Sequence, residues 1–228
     1  AEVFEKAVHA FSDRQWKGAP IINGVNLFES MIKDGAQPTA VTAPYDRTKH
    51  VGNLVYANLD HVSEALNSAA ANVDEWRSQT TESRGAYLNT LADFMERDLA
   101  ELVALCHHEA GKTMHDCIDE VREAVDFCRF YANQANLLKA QHITAFDGST
   151  KQVTREGRGV FVCISPWNFP LAIFLGQVTA ALVAGNTVVA KPAEQTSLIA
   201  VKAIELMLEA GVPAGVIQLL PGIGREIG

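Results

Sequence analysis

Between residues 159 and 220, three short, continuously apolar runs alternate with two helical patterns, and few folds accommodate that alternation. The runs cover 159–164, 187–190 and 216–220; the helical stretches cover 170–184 and 196–210, each followed by a glycine, Gly185 or Gly211, suited to end a helix. Strands that are apolar on both faces need helices on both faces. The pattern therefore predicts an α/β fold: a partial doubly wound parallel sheet, βαβαβ in order, preceded by an extended arm and a helical region. Right-handed crossovers bring the carboxyl ends of the three strands to one edge, which is where open α/β sheets bind ligands.

The rest of the chain divides by pattern. Residues 1–57 form an N-terminal arm, punctuated by Gly18, Pro20, Gly24, Gly35, Pro38 and Pro44. Residues 58–140 read as helices: Val62, Ala65, Ala69 and Val73 recur at helical spacing, as do Leu88, Leu91 and Met95, then Leu99, Leu102 and Cys106 up to Gly111. A fourth helix runs from about 113 to 138, with Met114, Cys117, Ile118, Val121, Val125 and Cys128 as its buried stripe. Residues 141–157 hold two β-tolerant pieces around Gly148 that pair as a ribbon, a candidate oligomerisation element, and 158–228 is the βαβαβ core.

Composition excludes several function classes. A net charge of -8 without a Lys/Arg cluster argues against nucleic acid and anionic membrane as partners. The apolar run 169–184 is too short to span a bilayer, and the N-terminus lacks the regions of a signal peptide, so a cytoplasmic protein is expected. Cys106, Cys117, Cys128 and Cys163 include no C-x-x-C pair, which predicts reduced, buried thiols and no metal site.

Polar groups gather at the strand tips. After the first strand comes Ser165-Pro166-Trp167-Asn168-Phe169-Pro170, where a helix opens and its unpaired NH groups, with the Asn168 amide, suit an oxyanion or a phosphate. After the second comes Lys191-Pro192-Ala193-Glu194, a cation and an anion suited to a ribose but equally compatible with an exposed ion pair. After the third, Pro221-Gly222-Ile223-Gly224 supplies glycines that suit close phosphate approach or a plain turn. The expectation is one pocket shared by Asn168, Lys191 and Glu194. Two apparent motifs are set aside. Ala110-Gly111-Lys112-Thr113 lacks the first glycine of a phosphate loop and reads as a helix stop and restart, while His107, His108 and His115 do not make metal-ligand spacing.

The blocks 157–170, 186–196 and 215–222, in this order, resemble the aldehyde dehydrogenase superfamily. Glu109-Ala110-Gly111-Lys112-Thr113 and Asp119-Glu120-Val121-Arg122-Glu123-Ala124-Val125-Asp126-Phe127 are similar to the Δ1-pyrroline-5-carboxylate dehydrogenase branch, especially the bacterial bifunctional proline-utilization enzymes. The resemblance implies an NAD-dependent oxidation of glutamate semialdehyde to glutamate in proline catabolism. It assigns Asn168 to the oxyanion, Ile164, Ser165, Pro166 and Trp167 to the cofactor cleft, Lys191 and Glu194 to the adenosine ribose, and Gly222 and Gly224 to the phosphates. Phe169 and Glu123 then face the aldehyde's aliphatic chain and ammonium. A carboxylate on the 2′-hydroxyl favours NAD over NADP.

The family's nucleophilic cysteine and hydrolytic glutamate lie beyond the third strand, so the 228 residues are expected to be a fragment that is inert alone. For the parent protein the resemblance leaves room for FAD in a separate proline dehydrogenase domain, and implies a homo-oligomer. The alternative is a noncatalytic nucleotide-binding or oligomerisation module.

Overall fold

The computed structural model describes residues 2–228. Its central sheet has five strands in the order Val25–Asn26, Ile21–Ile22, Ile217–Leu219, Thr187–Lys191, Val160–Ile164. The last three are parallel and in the expected order, with Val160 to Ile164 registered on Thr187 to Lys191, and Ile217 to Leu219 on Val188 to Ala190. Helices Ala172–Val183 and Ser197–Glu209 make the two crossovers. Side chains alternate across the middle strand as the pleat requires. Val189 packs with Ala65 and Ala69 of helix Leu59–Ala71, while Val188 and Ala190 join the main core with Phe174, Leu175 and Ile199. Both faces of the middle strand are thus covered, which explains why it carries no polar alternation.

The helical region divides as its caps dictate. Asn58 accepts from the His61 backbone NH at 3.0 Å and receives support in return, opening the first helix. Thr80 opens Thr81–Arg97, and Thr113 accepts from the Asp116 NH to open Met114–Gln134. Gly111, at φ 68°, ends Leu99–Ala110 in left-handed backbone, and a Cβ there would lie 2.5 Å from the Pro44 ring. The stop-and-restart reading of 110–113 therefore describes the backbone.

The arm differs from the expected extended segment. It contains helices Glu2–His9 and Phe28–Lys33 and contributes to two sheets. Strands Trp16–Gly18, Asp46–Leu54 and Thr39–Ala43 form a separate three-stranded sheet, and Ile21–Ile22 and Val25–Asn26 extend the central sheet antiparallel. The local signal was present: Asn23 at φ 51° and Gly24 at φ 77° form a two-residue turn with both central φ angles positive, the geometry Asn-Gly favours in hairpins. The ribbon forms as Gln141–Thr144 against Thr150–Val153, exposed along its whole length.

Candidate active site at the strand tips

Helix Ala172–Val183 begins two residues after Pro170, and its first NH groups need acceptors that its own turn cannot supply. Glu120, on helix Met114–Gln134 and only 1% exposed, provides one. Its Oε1 accepts from the Leu171 and Ala172 NH groups at 3.1 and 2.9 Å, and its Oε2 pairs with the Lys112 ammonium. The far end of the same helix is closed too, because Trp76 Nε1 donates to the Leu182 carbonyl and Arg84 Nε to that of Val183, both at 2.9 Å. The second crossover helix repeats the arrangement: Glu109 accepts from the Leu198 NH at 2.7 Å and the Ile199 NH at 2.9 Å. Burial pushes the Glu109 carboxyl up to about 8, against the pull of those backbone NH groups.

Lys191, Glu194 and Gly224 line one open hollow of about 760 Å³, together with Tyr56, Ala193, Gln195, Ile223 and Arg225. Lys191 is buried, which pushes its ammonium below its ordinary range, while nearby Glu194 pulls the other way. Glu194 accepts from the Gly224 NH at 3.2 Å, tying the second strand tip to the third. The first tip is joined by the Ser165 NH, 3.2 Å from the Lys191 carbonyl. Gly224 faces open space, since a Cβ there would meet nothing within 4 Å, whereas one at Gly222 would press on Ile227. A second hollow of about 480 Å³ shares Tyr56, Glu194 and Gln195 and adds Trp167, Arg47, Glu109 and Thr196. Two buried hydroxyls at this edge, Ser165 Oγ and Thr196 Oγ1, have no hydrogen-bond partner among the described residues.

Asn168 is not among the residues lining either hollow, although its neighbour Trp167 lines the second beside Glu194. The Asn168 carbonyl accepts from Lys112 Nζ at 3.1 Å, and the same ammonium sits 4.4 Å from the centre of the Phe169 ring. The loop is therefore held toward the helical region. Asn168 is exposed, Phe169 is 37% exposed, and Ile164 and Trp167 are each 57% exposed; Pro166 is half-buried. Glu123 is exposed on helix Met114–Gln134, and the carboxylate that reaches this loop is Glu120, one turn earlier.

Glu109, Glu120, Lys112 and Tyr56 escaped the sequence reading. For the two glutamates a signal existed, because each sits where a helix's buried stripe should be apolar: Glu120 between Cys117 and Ala124, Glu109 after Leu102 and Cys106. The cysteines are free and buried as expected. Burial raises the Cys128 thiol to about 12 and that of Cys163 to about 11, and Cys106 is also driven up, chiefly through its hydrogen bond with Cys117. Among the described residues no helix is long and apolar enough to cross a membrane, and no cluster could hold a metal ion.

Comparison with known proteins agrees with this architecture. Residues 31–228 match the aldehyde dehydrogenase family. The bifunctional protein PutA of Salmonella typhimurium is 44% identical over 94% of this chain, which spans 15% of that protein's length. The 1-pyrroline-5-carboxylate dehydrogenase 2 of Bacillus subtilis is 36% identical over the whole chain, which covers 43% of it. Among solved structures, a Thermus 1-pyrroline-5-carboxylate dehydrogenase with bound NAD superimposes on the whole chain with a TM-score of 0.92 at 30% identity, and the chain covers 43% of it. A proline utilization A from Bdellovibrio bacteriovorus does so at 0.91 and 36%, the chain covering 23% of it. Sequence and backbone together mean that this chain belongs to the aldehyde dehydrogenase family.

Proposed function

We propose that this chain is the cofactor-holding and oxyanion-holding part of an NAD-dependent dehydrogenase that oxidises glutamate semialdehyde, the open form of pyrroline-5-carboxylate, to glutamate. The observation that carries the reading is the hollow at the strand tips, where Lys191, Glu194 and Gly224 meet. A carboxylate and an ammonium suit ribose hydroxyls, and the open space at Gly224 lets the rest of a dinucleotide lie close to the backbone. The donor set therefore fits a dinucleotide, and the NAD bound by the Thermus relative supports the choice. Glu194 would repel a 2′-phosphate, which favours NAD over NADP.

NAD, held there, would supply the hydride acceptor. The chain's own groups orient and stabilise: Lys191 and Glu194 hold the ribose, Gly222 and Gly224 flank the phosphates, and Ile164, Ser165, Pro166 and Trp167 line the cleft. Asn168 donates its amide to the oxygen that becomes negative as the aldehyde carbon turns tetrahedral. Phe169 packs on the aliphatic chain, and Glu123 meets the substrate ammonium. The covalent step needs a thiolate, and burial makes the cysteines present poor candidates. We accordingly infer that the 228 residues are inert alone and act within a longer protein, in which the exposed ribbon at 141–153 meets another subunit.

An NADH-formation assay with glutamate semialdehyde tests both statements. The full reading frame should turn over, and the Asn168→Ala variant should lose roughly 100-fold or more in kcat, the scale of one oxyanion donor. The 228-residue chain alone should stay at background. Turnover by the isolated chain would contradict the inertness, and an unimpaired Asn168→Ala enzyme would contradict the oxyanion role.

A further inference from the structure

Lys112 occupies a position that neither the helix-restart reading nor the proposed chemistry explains. Its side chain is 16% exposed, and its ammonium meets three groups: the Glu120 carboxylate, the Asn168 carbonyl at 3.1 Å and the face of Phe169 at 4.4 Å. Its own backbone is fixed as well. The Lys112 carbonyl is contacted by His107 Nδ1 at 2.7 Å and Cys117 Sγ at 3.7 Å, between the left-handed Gly111 and the Thr113 cap. Glu120 carries the restraint onward, since its other oxygen holds the Leu171 and Ala172 NH groups.

The loop between the first strand and its crossover helix is thus anchored twice from one ion pair. Lys112 takes hold of its middle and Glu120 of its end. Without the lysine, a buried carboxylate would face the helix start uncompensated, and the Asn168 peptide would lose the one charged donor on its carbonyl. Rotation of that peptide moves the Asn168 side chain directly, because both hang from the same Cα. A misplacement of about 1 Å in a positioned group can lower a rate on the order of 100-fold.

We propose that Lys112, working through Glu120, is a positioning residue that fixes the Asn168 peptide and the Phe169 ring, so that the carboxamide and the aromatic wall are preorganised before an aldehyde arrives. The inference rests on the oxyanion reading of Asn168, but its structural half stands apart from it.

Hydrogen exchange on the full chain, with Lys112→Met and Lys112→Arg, reads that structural half. Methionine keeps the stem without the charge, and arginine restores charge and donors. The expected result is exchange at least tenfold faster at the amides of 167–172 in Lys112→Met, little change in helix Ser197–Glu209, and protection regained in Lys112→Arg. Exchange at 167–172 within twofold of the native chain would overturn the proposal, and so would equal acceleration throughout, which marks a merely structural lysine. In the full reading frame, Lys112→Met should lower kcat at least tenfold with KM for NAD changed less than twofold. An unchanged kcat beside a loosened loop would overturn the positioning role. If Asn168→Ala retains full activity while the exchange result holds, the oxyanion reading fails and the tether remains.

Discussion

The two crossover helices begin with the same problem and solve it with carboxylates in different settings. Each turns its first NH groups toward a buried carboxylate from the helical region: Glu120 for Ala172–Val183, Glu109 for Ser197–Glu209. Glu120 is matched by Lys112, whose ammonium also reaches the Asn168 peptide. Glu109 takes its hydrogen bonds from backbone NH groups, and burial pushes its carboxyl up to about 8. A lysine makes a cap with three contacts, and the loop it reaches is the one carrying the candidate oxyanion donor. One cap thus rests on an ion pair that reaches the Asn168 loop, and the other on a carboxyl that borders the second hollow.

Breaking the cation-matched cap should cost the most. Glu120→Ala strands a half-buried ammonium and two buried NH groups, and removing one partner of such a pair costs up to about 3–5 kcal/mol. Denaturant titration should register that loss; a change below about 1 kcal/mol would mean that water or another side chain already serves the helix start.

The Glu109 cap should reveal itself through pH, with a smaller effect. The Glu109 carboxyl is raised from 4.5 in the unfolded reference to about 8 in the folded chain, so the unfolded state sheds its proton first as pH rises. Its contribution to stability is complete below about pH 4.5, declines between there and about pH 8, and is flat above. Glu109→Gln cannot titrate, so melting curves should converge with those of the native chain at low pH and separate in the variant's favour toward pH 8. Parallel curves across that window would remove the distinction between the two caps.

The crossover unit was legible because it is local. Each strand and helix of 159–220 announces itself by period, length and terminal glycine, and the structure reproduces every one within a few residues. The caps were not legible, because their partners are distant in sequence: Glu120 bonds an NH 51 positions away and Glu109 one 89 away. Periodicity could have flagged a charged residue on a buried stripe, but not its destination. Lys112 was hidden by a correct inference, since a residue between a helix stop and a helix start has a sufficient local explanation. Convergence of the second and third strand tips around Lys191, Glu194 and Gly224 follows from right-handed crossovers. The contact between Lys112 and the Asn168 carbonyl does not follow, because it joins residues 56 positions apart.

The parallel order also leaves the first strand at a sheet edge, with Phe161, Val162 and Ile164 exposed, although the sequence marks it as apolar on both faces. Such an edge can pair with a further strand. The chain spans 15% and 43% of the lengths of the Salmonella and Bacillus relatives.

The central claim is that the hollow bordered by Lys191 and Glu194 takes NAD, and calorimetry on the chain with NAD and NADP tests it most directly. The account predicts saturable binding of NAD, at least tenfold weaker binding of NADP, and a narrowing of that preference in Glu194→Gln, which removes the charge that repels a 2′-phosphate. Equal affinity for the two dinucleotides in the native chain, or a preference that Glu194→Gln leaves untouched, would contradict it.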